Sequence, residues 1–263
     1  MSKHEKFDLI ISMGGNCAAA SQCVFRKIRM FSLPFDYTFM ADTQPIDYFA
    51  NNLKNEFQDI LKKENLVELR EDERGDAREQ YQYKDIISGY RYIHLFNDDI
   101  NKKEVYKKGY DKIHKRVKRL FKKISQAHKI LVICATNFEF DQKHMQNVKK
   151  SFEKLYPNKE FVFYTLMFNA HADTEIQAGN MHFIYSVRAI NLYDYDKTNF
   201  EWKFLDNVKI SDRLSDQNKF FYTKKIKKGI LLHFFRRINT ILYIKLYLFG
   251  MRIQIIIGKN REE

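Results

Sequence analysis

The sequence predicts an α/β fold, a mostly parallel open sheet with covering helices in three layers, followed by a basic amphipathic helical tail. Three observations lead there. Short apolar runs at Phe7–Met13, Lys129–Ala135 and Glu160–Phe168 have the length of buried strands. Longer amphipathic stretches separate them, which is the rhythm of strands joined by crossover helices. After about residue 216 the composition turns strongly basic.

Taken in order, Phe7–Met13 reads as a buried strand that ends in the turn Gly14-Gly15-Asn16, and Ala18–Arg29 as a helix with basic residues near its end. Ser32–Tyr37 is a loop, because Pro34 disfavours helix at the residue before it. Ile46–Leu61 is expected as a helix, Glu68–Arg78 as a charged loop, and Tyr90–Phe96 as a strand ended by Asp98-Asp99. Lys103–Ala127 predicts a basic helix with an apolar stripe through Val105, Tyr110, Ile113, Val117, Leu120 and Ile124. Lys129–Ala135 is the clearest strand, followed by a helix over Phe140–Tyr156 and strands over Glu160–Phe168 and Met181–Val187. The simplest partition is one domain over 1–216 and a separate segment over 217–263.

In that segment Leu231, Phe234, Phe235, Ile238, Ile241 and Leu242 share one helical face, while Arg236, Arg237 and the Lys224–Lys228 cluster lie mostly off it. From Lys219 to Glu263 there are 11 Lys and Arg against 2 acidic residues, whereas the rest of the chain holds 35 against 31. The overall charge of +13 is therefore largely a property of the tail. A basic amphipathic helix suits an anionic membrane surface; packing on the domain and a dimer contact fit the same pattern. Nucleic acid is a weaker partner class, since the main body is nearly balanced and carries no nucleic-acid motif.

The three cysteines, Cys17, Cys23 and Cys134, form no paired spacing, and the first residues contain no signal-peptide core. Free thiols in a reducing cytoplasm, with the tail peripheral on the inner membrane, are the expectation. No apolar run reaches the ~20 residues of a membrane-spanning helix. HExxH, Walker A and GxGxxG patterns are absent, so no metal or bound cofactor is expected. Glu139, Asp141 and His144 would scatter around a helix surface.

Cys17 is the residue best placed for chemistry. It lies between a predicted strand and a predicted helix, where unpaired backbone N–H groups favour a thiolate and can also hold an oxyanion. Gly14 and Gly15 allow a tight turn and close approach of a substrate, and Asn16 either caps the helix or donates to the oxyanion. The same position also suits a small buried packing residue. Cys134, in an apolar strand, and Cys23, off the face of Cys17, read as packing.

The runs ISMGGNCAAASQC (Ile11–Cys23) and SLPFDY (Ser32–Tyr37) resemble the opening signature of the papain-like cysteine peptidase family. YIHLFND (Tyr92–Asp98), KGYDKIHKRVKRL (Lys108–Leu120), KILVICATN (Lys129–Asn137) and Trp202 extend the resemblance over roughly residues 7–207. It implies a cysteine-dependent hydrolase with Cys17 as nucleophile, His94 as general base and Asp36 as the group that orients the imidazole; the turn itself puts Gly15 and Asn16 at the oxyanion or ligand. His171, just after a predicted strand and near Asp173, is the alternative base. His94 in an apolar strand also suits a hydrogen-bonded core histidine, and Asp36 also suits a turn cap.

Two other classes stay open. In a coenzyme A-dependent acyltransferase of surface-polysaccharide synthesis, the Gly-rich turn would hold a phosphate of the cofactor. In a non-enzymatic module, the tail would bind membrane or nucleic acid.

Overall fold

The computed structural model describes residues 5–36, 38–40, 45–74, 81–137, 142–168, 170–186 and 200–211. It also describes the backbone of 237–238, 241–248 and 251–258; the side chains of 45–46, 142–145 and 200 are not described. Tyr37, the side chains of Glu139, Asp141 and His144, and the Lys224–Lys228 cluster fall outside these residues. The chain forms two compact units, Met1–Ser211 and Asp212–Glu263.

In the first unit the fold is mixed α/β. Its elements are β1 (Glu5–Phe7), β2 (Leu9–Ser12), α1 (Ala18–Phe25), β3 (Thr38–Phe39), α2 (Pro45–Lys54), β4 (Leu66–Glu68), β5 (Tyr83–Asp85) and β6 (Arg91–Tyr92). They continue with α3 (Lys103–Gln126), β7 (Lys129–Thr136), α4 (Gln142–Leu155), β8 (Glu160–Phe168), β9 (Thr174–Ala178), β10 (Met181–Ser186), a 3-10 turn over Phe200–Asn207 and β11 (Val208–Ile210). The main sheet has the order β2-β7-β8-β10-β9. Its first four strands are parallel and β9 joins the edge antiparallel.

The two-residue alternation of the strands divides the core. Leu9, Ile11, Ile130, Val132, Cys134, Phe161 and Phe163 pack with Phe49 and Leu53 of α2, Ile113, Val117, Leu120 and Ile124 of α3, and Val148 and Phe152 of α4. Ile10, Leu131, Ile133, Ala135, Val162, Tyr164 and Leu166 face the other way, onto Ala18, Ala19 and Cys23 of α1 and onto Trp202 and Leu205. The apolar stripe of α3 is thus spent on the core.

Asp8 interrupts the first strand and fastens it. Its carboxylate accepts the backbone N–H groups of His128 (2.8 Å) and Lys129 (3.0 Å) and the Ser211 hydroxyl (2.5 Å). β1 consequently pairs with β11 on one side while β2 pairs with β7 on the other.

Three expectations are corrected. The helix expected to reach Leu61 ends at Lys54, because Glu56 and Phe57 take left-handed φ values of 56° and 55°. That turn drives Phe57, Ile60 and Leu61 into the core. The strand expected over Tyr90–Phe96 is only Arg91–Tyr92; it joins a small antiparallel sheet of order β3-β6-β5-β4, and residues 93–95 form a bend.

The second unit holds the third correction. In place of the expected amphipathic helix, the described residues form an antiparallel sheet of β12 (Arg237–Ile238), β13 (Ile241–Leu248) and β14 (Met251–Gly258). The segment is rich in Ile, Leu and Tyr, whose branched and aromatic side chains favour strands. Its pairing of Ile241–Leu248 with Met251–Gly258 is available only to a hairpin. Among the described residues no helix is long and apolar enough to cross a membrane.

Candidate active site

The junction between β2 and α1 is built from backbone geometry. Gly14 and Gly15 take φ values of +82° and +90°, open to glycine at little cost. A Cβ on Gly14 would also stand 2.6 Å from Thr38 Oγ1 and 3.2 Å from the Phe35 carbonyl. Phe35 and Thr38 therefore lie directly on the turn, and the Met40 N–H donates to the Gly15 carbonyl at 3.3 Å.

Asn16 works as the helix cap. Its Oδ1 accepts the Ala18 N–H at 2.7 Å, and its Nδ2 donates to the Ala135 carbonyl at the end of β7 at 2.9 Å. A cap of this kind is worth about 1 kcal/mol, and here it also ties α1 to the sheet.

Cys17 follows in helical conformation at the start of α1 (φ −73°, ψ −15°). The residue is only 6% exposed. Burial pushes its thiol up to about 12, and the negative charge of Asp36 adds to the shift. Among the described residues the thiol makes no hydrogen bond. Cys23 and Cys134 are also free, buried and raised to about 12. For Cys134 burial alone is the cause; at Cys23 burial leads and Asp36 again adds, against Arg29 and Arg26.

Asp36 is buried beside this thiol and locked in the loop that follows α1. Its Oδ2 accepts Arg29 Nη2 at 2.5 Å and the Leu33 N–H at 2.8 Å. Burial raises its carboxyl, and the Arg29 guanidinium, the Leu33 N–H and Arg116 offset part of the rise. From α3, Arg116 Nη1 donates to the Leu33 carbonyl at 3.2 Å. Sequence reasoning missed Arg29 and Arg116. Both are long cations in basic stretches, and only the position of Asp36 sets them apart.

The structure places Asp36 where its charge reaches the Cys17 thiol, and it shows no such link from either histidine to that thiol. His94 is exposed in the bend after β6, two residues beyond Tyr92. Tyr92 pairs with Thr38, the residue packed on Gly14, so one strand stands between that bend and the turn. His171 is exposed beyond the end of β8, which lies two strands from β2, about 10 Å across the sheet. It borders a shallow depression with Thr174, Ile176 and Tyr185. Among the described residues no hydrogen bond or ion pair joins either histidine to Cys17.

The arrangement offers a thiol at a helix N-terminus, a buried carboxylate beside it, and an imidazole one strand away. A family model described as putative papain-like cysteine peptidase (DUF1796) matches residues 8–172. This stretch carries Cys17, Asp36, His94 and His171. The chain belongs to that family. No curated protein and no solved structure matches it.

Proposed function

We propose that the protein is a cysteine-dependent hydrolase of amide bonds, with Cys17 as nucleophile, His94 as general base and Asp36 as the charge that stabilises the imidazolium. The observation that supports this most is the seat of Cys17 at the start of α1, behind a double-glycine turn, in a chain of the cysteine peptidase family. His94 is preferred over His171 because its segment YIHLFND carries the resemblance to the family.

The imidazole of His94 takes the Sγ proton, and the thiolate attacks the carbonyl carbon. The backbone N–H groups of Asn16 and Cys17, at the positive end of α1, hold the oxyanion, and Gly15 lets the substrate approach. As the C–N bond breaks, the imidazolium returns its proton to the leaving amine; water then hydrolyses the thioester. Asp36 raises the pKa of the lone thiol, yet the same negative charge favours the ion pair once a cationic imidazolium stands beside it. Because Cys17 is buried, its surroundings have to open before a carbonyl carbon reaches Sγ.

The test is labelling by a peptidyl chloromethyl ketone, in which the Sγ–C bond forms and chloride leaves. Peptide mass spectrometry should find the adduct on Cys17 and not on Cys23 or Cys134. His94→Ala should slow the labelling by roughly 10²-fold or more, and His171→Ala should leave it unchanged. Labelling elsewhere would remove Cys17 from the nucleophile role. An unchanged rate in His94→Ala would remove the base.

A further inference from the structure

The sequence of α3 contains more than its core stripe. Over Lys103–Gln126 there are ten Lys and Arg against Glu104 and Asp111. Seven of the cations, Lys108, Lys112, Lys115, Arg116, Arg119, Lys122 and Lys123, fall at i, i+4, i+7, i+8, i+11, i+14 and i+15. This spacing places them along one flank of the helix, over about 22 Å at 1.5 Å per residue. Asp111 borders the flank one turn before Lys115 without pairing with it. Lys108, Lys112, Lys115, Arg119 and Lys122 are exposed, and none of these five makes an ion pair among the described residues. The crowding is felt within the row. Lys112 is held below the ordinary lysine value by partial burial and by Arg116 and Lys108, and Lys123 by partial burial and Lys122. Folding has gathered like charges and left the five exposed ones without an ion pair among the described residues, an arrangement that a multivalent anion would relieve.

The middle of this row abuts the loop that follows α1 and carries Asp36. Arg116 donates to the Leu33 carbonyl, and the Arg119 guanidinium lies 5.8 Å from the centre of the Phe31 ring. Asp36, in the same loop, is the charge felt at Cys17.

The chemistry of the row selects among polyanions. A lipid surface would require apolar residues to enter the bilayer, and those of α3 are already buried in the core. Single-stranded nucleic acid would require exposed aromatic platforms. Tyr106, Tyr110 and Phe121 lie on the opposite flank, partly buried against the core. Five of the seven cations are Lys, compact point charges without the planar fork that Arg offers to phosphate. Carboxylates spaced along an extended polypeptide meet these conditions.

We propose that this flank of α3 is a docking track for acidic polypeptide segments and that it selects such polypeptides as substrates for Cys17; the second half of the proposal rests on the peptidase reading.

The experiment uses the full chain and fluorescence anisotropy of a fluorescein-labelled oligoglutamate peptide of about a dozen residues. The quadruple variant Lys112→Gln, Lys115→Gln, Arg119→Gln, Lys122→Gln should bind roughly tenfold or more weakly, since four exposed charge contacts are lost together. It should also show a shallower salt dependence. Circular dichroism checks that it folds. Neutralising Lys224, Lys225, Lys227 and Lys228 in the basic tail should cost less. Oligothymidylate and vesicles of equal parts phosphatidylserine and phosphatidylcholine should compete more weakly than unlabelled peptide. Unchanged binding by the α3 variant overturns the track, and stronger competition by the oligonucleotide or the vesicles overturns the assignment to polypeptide.

Turnover separates this proposal from the one it rests on. If binding depends on α3 but no peptide is cleaved in a Cys17-dependent way, the hydrolase reading falls and the track stands. If cleavage depends on Cys17 but the α3 variant keeps the parent's ratio of acidic to neutral peptide cleavage, substrate selection by the track falls and the hydrolase reading stands.

Discussion

The β2–α1 junction and the bend after β6 carry the two halves of the proposed Cys–His pair, and they are built in opposite ways. At the junction every residue from Leu9 to Ala20 is buried, and the turn is held from three sides, by Asn16 on Ala135, by Met40 on Gly15 and by Thr38 against Gly14. At the bend, strand pairing stops at Tyr92 and His94 stands in solvent. A reaction at Cys17 therefore takes its geometry from the core and its proton acceptor from the surface. The thiol is fixed but inaccessible, and the imidazole is accessible, with no hydrogen bond to the thiol among the described residues. Substrate binding has to join the two.

The sharpest way to break this comparison is to exchange side chains at the two places. Gly14→Ala forces a Cβ into a left-handed backbone and onto Thr38 and Phe35. A loss of about 2–4 kcal/mol in urea unfolding is expected. His94→Ala should change stability by no more than about 0.5 kcal/mol, as a surface substitution does. Equal losses would mean that the bend is as firmly held as the junction.

Asp8→Ala comes next, since it releases the strand that leads into the junction from His128, Lys129 and Ser211. Leaving these donors unpaired should cost about 1–3 kcal/mol at neutral pH. Burial raises the Asp8 carboxyl, but the hydrogen bonds from Ser211, Lys129 and His128 outweigh it and leave the pKa below the ordinary value. A folded-state pKa below the unfolded one gives stability that is present above the ordinary carboxylate pKa of about 3.9 and lost as pH falls through the folded value. The gap in Tm between parent and variant should accordingly narrow as pH falls below about 4. A gap independent of pH would mean that the carboxylate charge contributes nothing.

Asp36→Asn separates charge from burial at the thiols. Burial raises all three, and the carboxylate adds to the rise at Cys17 and Cys23 but not at Cys134. Removing the charge should lower the midpoint of iodoacetamide alkylation at Cys17 and leave Cys134 unchanged, read site by site by peptide mass spectrometry. An unmoved Cys17 would show that burial alone sets its pKa.

The smallest effect is expected at Ser12, whose hydroxyl is buried at the end of β2 with no hydrogen-bond partner among the described residues. Ser12→Ala should be neutral or stabilising by up to about 1 kcal/mol, because an unpaired buried hydroxyl costs free energy. A destabilisation of that size would reveal a partner for it.

What the sequence determined by itself is what local periodicity carries. The buried runs of β2, β7, β8 and β10, the stripe of α3 and the strand–Gly-Gly–helix seat of Cys17 are each set by residues within a few positions of one another. Tertiary structure decided the rest, because it depends on partners far away in the chain. Phe57 and Leu61 end α2 early because the core takes their side chains, although their own propensities would extend the helix. His94 leaves the expected strand because β6 finds partners for only two residues, in β3 and β5. The apolar runs Ile241–Leu248 and Met251–Gly258 pair as a hairpin where the spacing of apolar residues from Leu231 to Leu242 suggested a helix. Asn16 reaches a carbonyl 119 residues away, and Asp36 meets Arg29 and the field of Arg116 only once α3 lies against the loop. Periodicity is a property of neighbours, and a site is a property of segments that only the fold brings together.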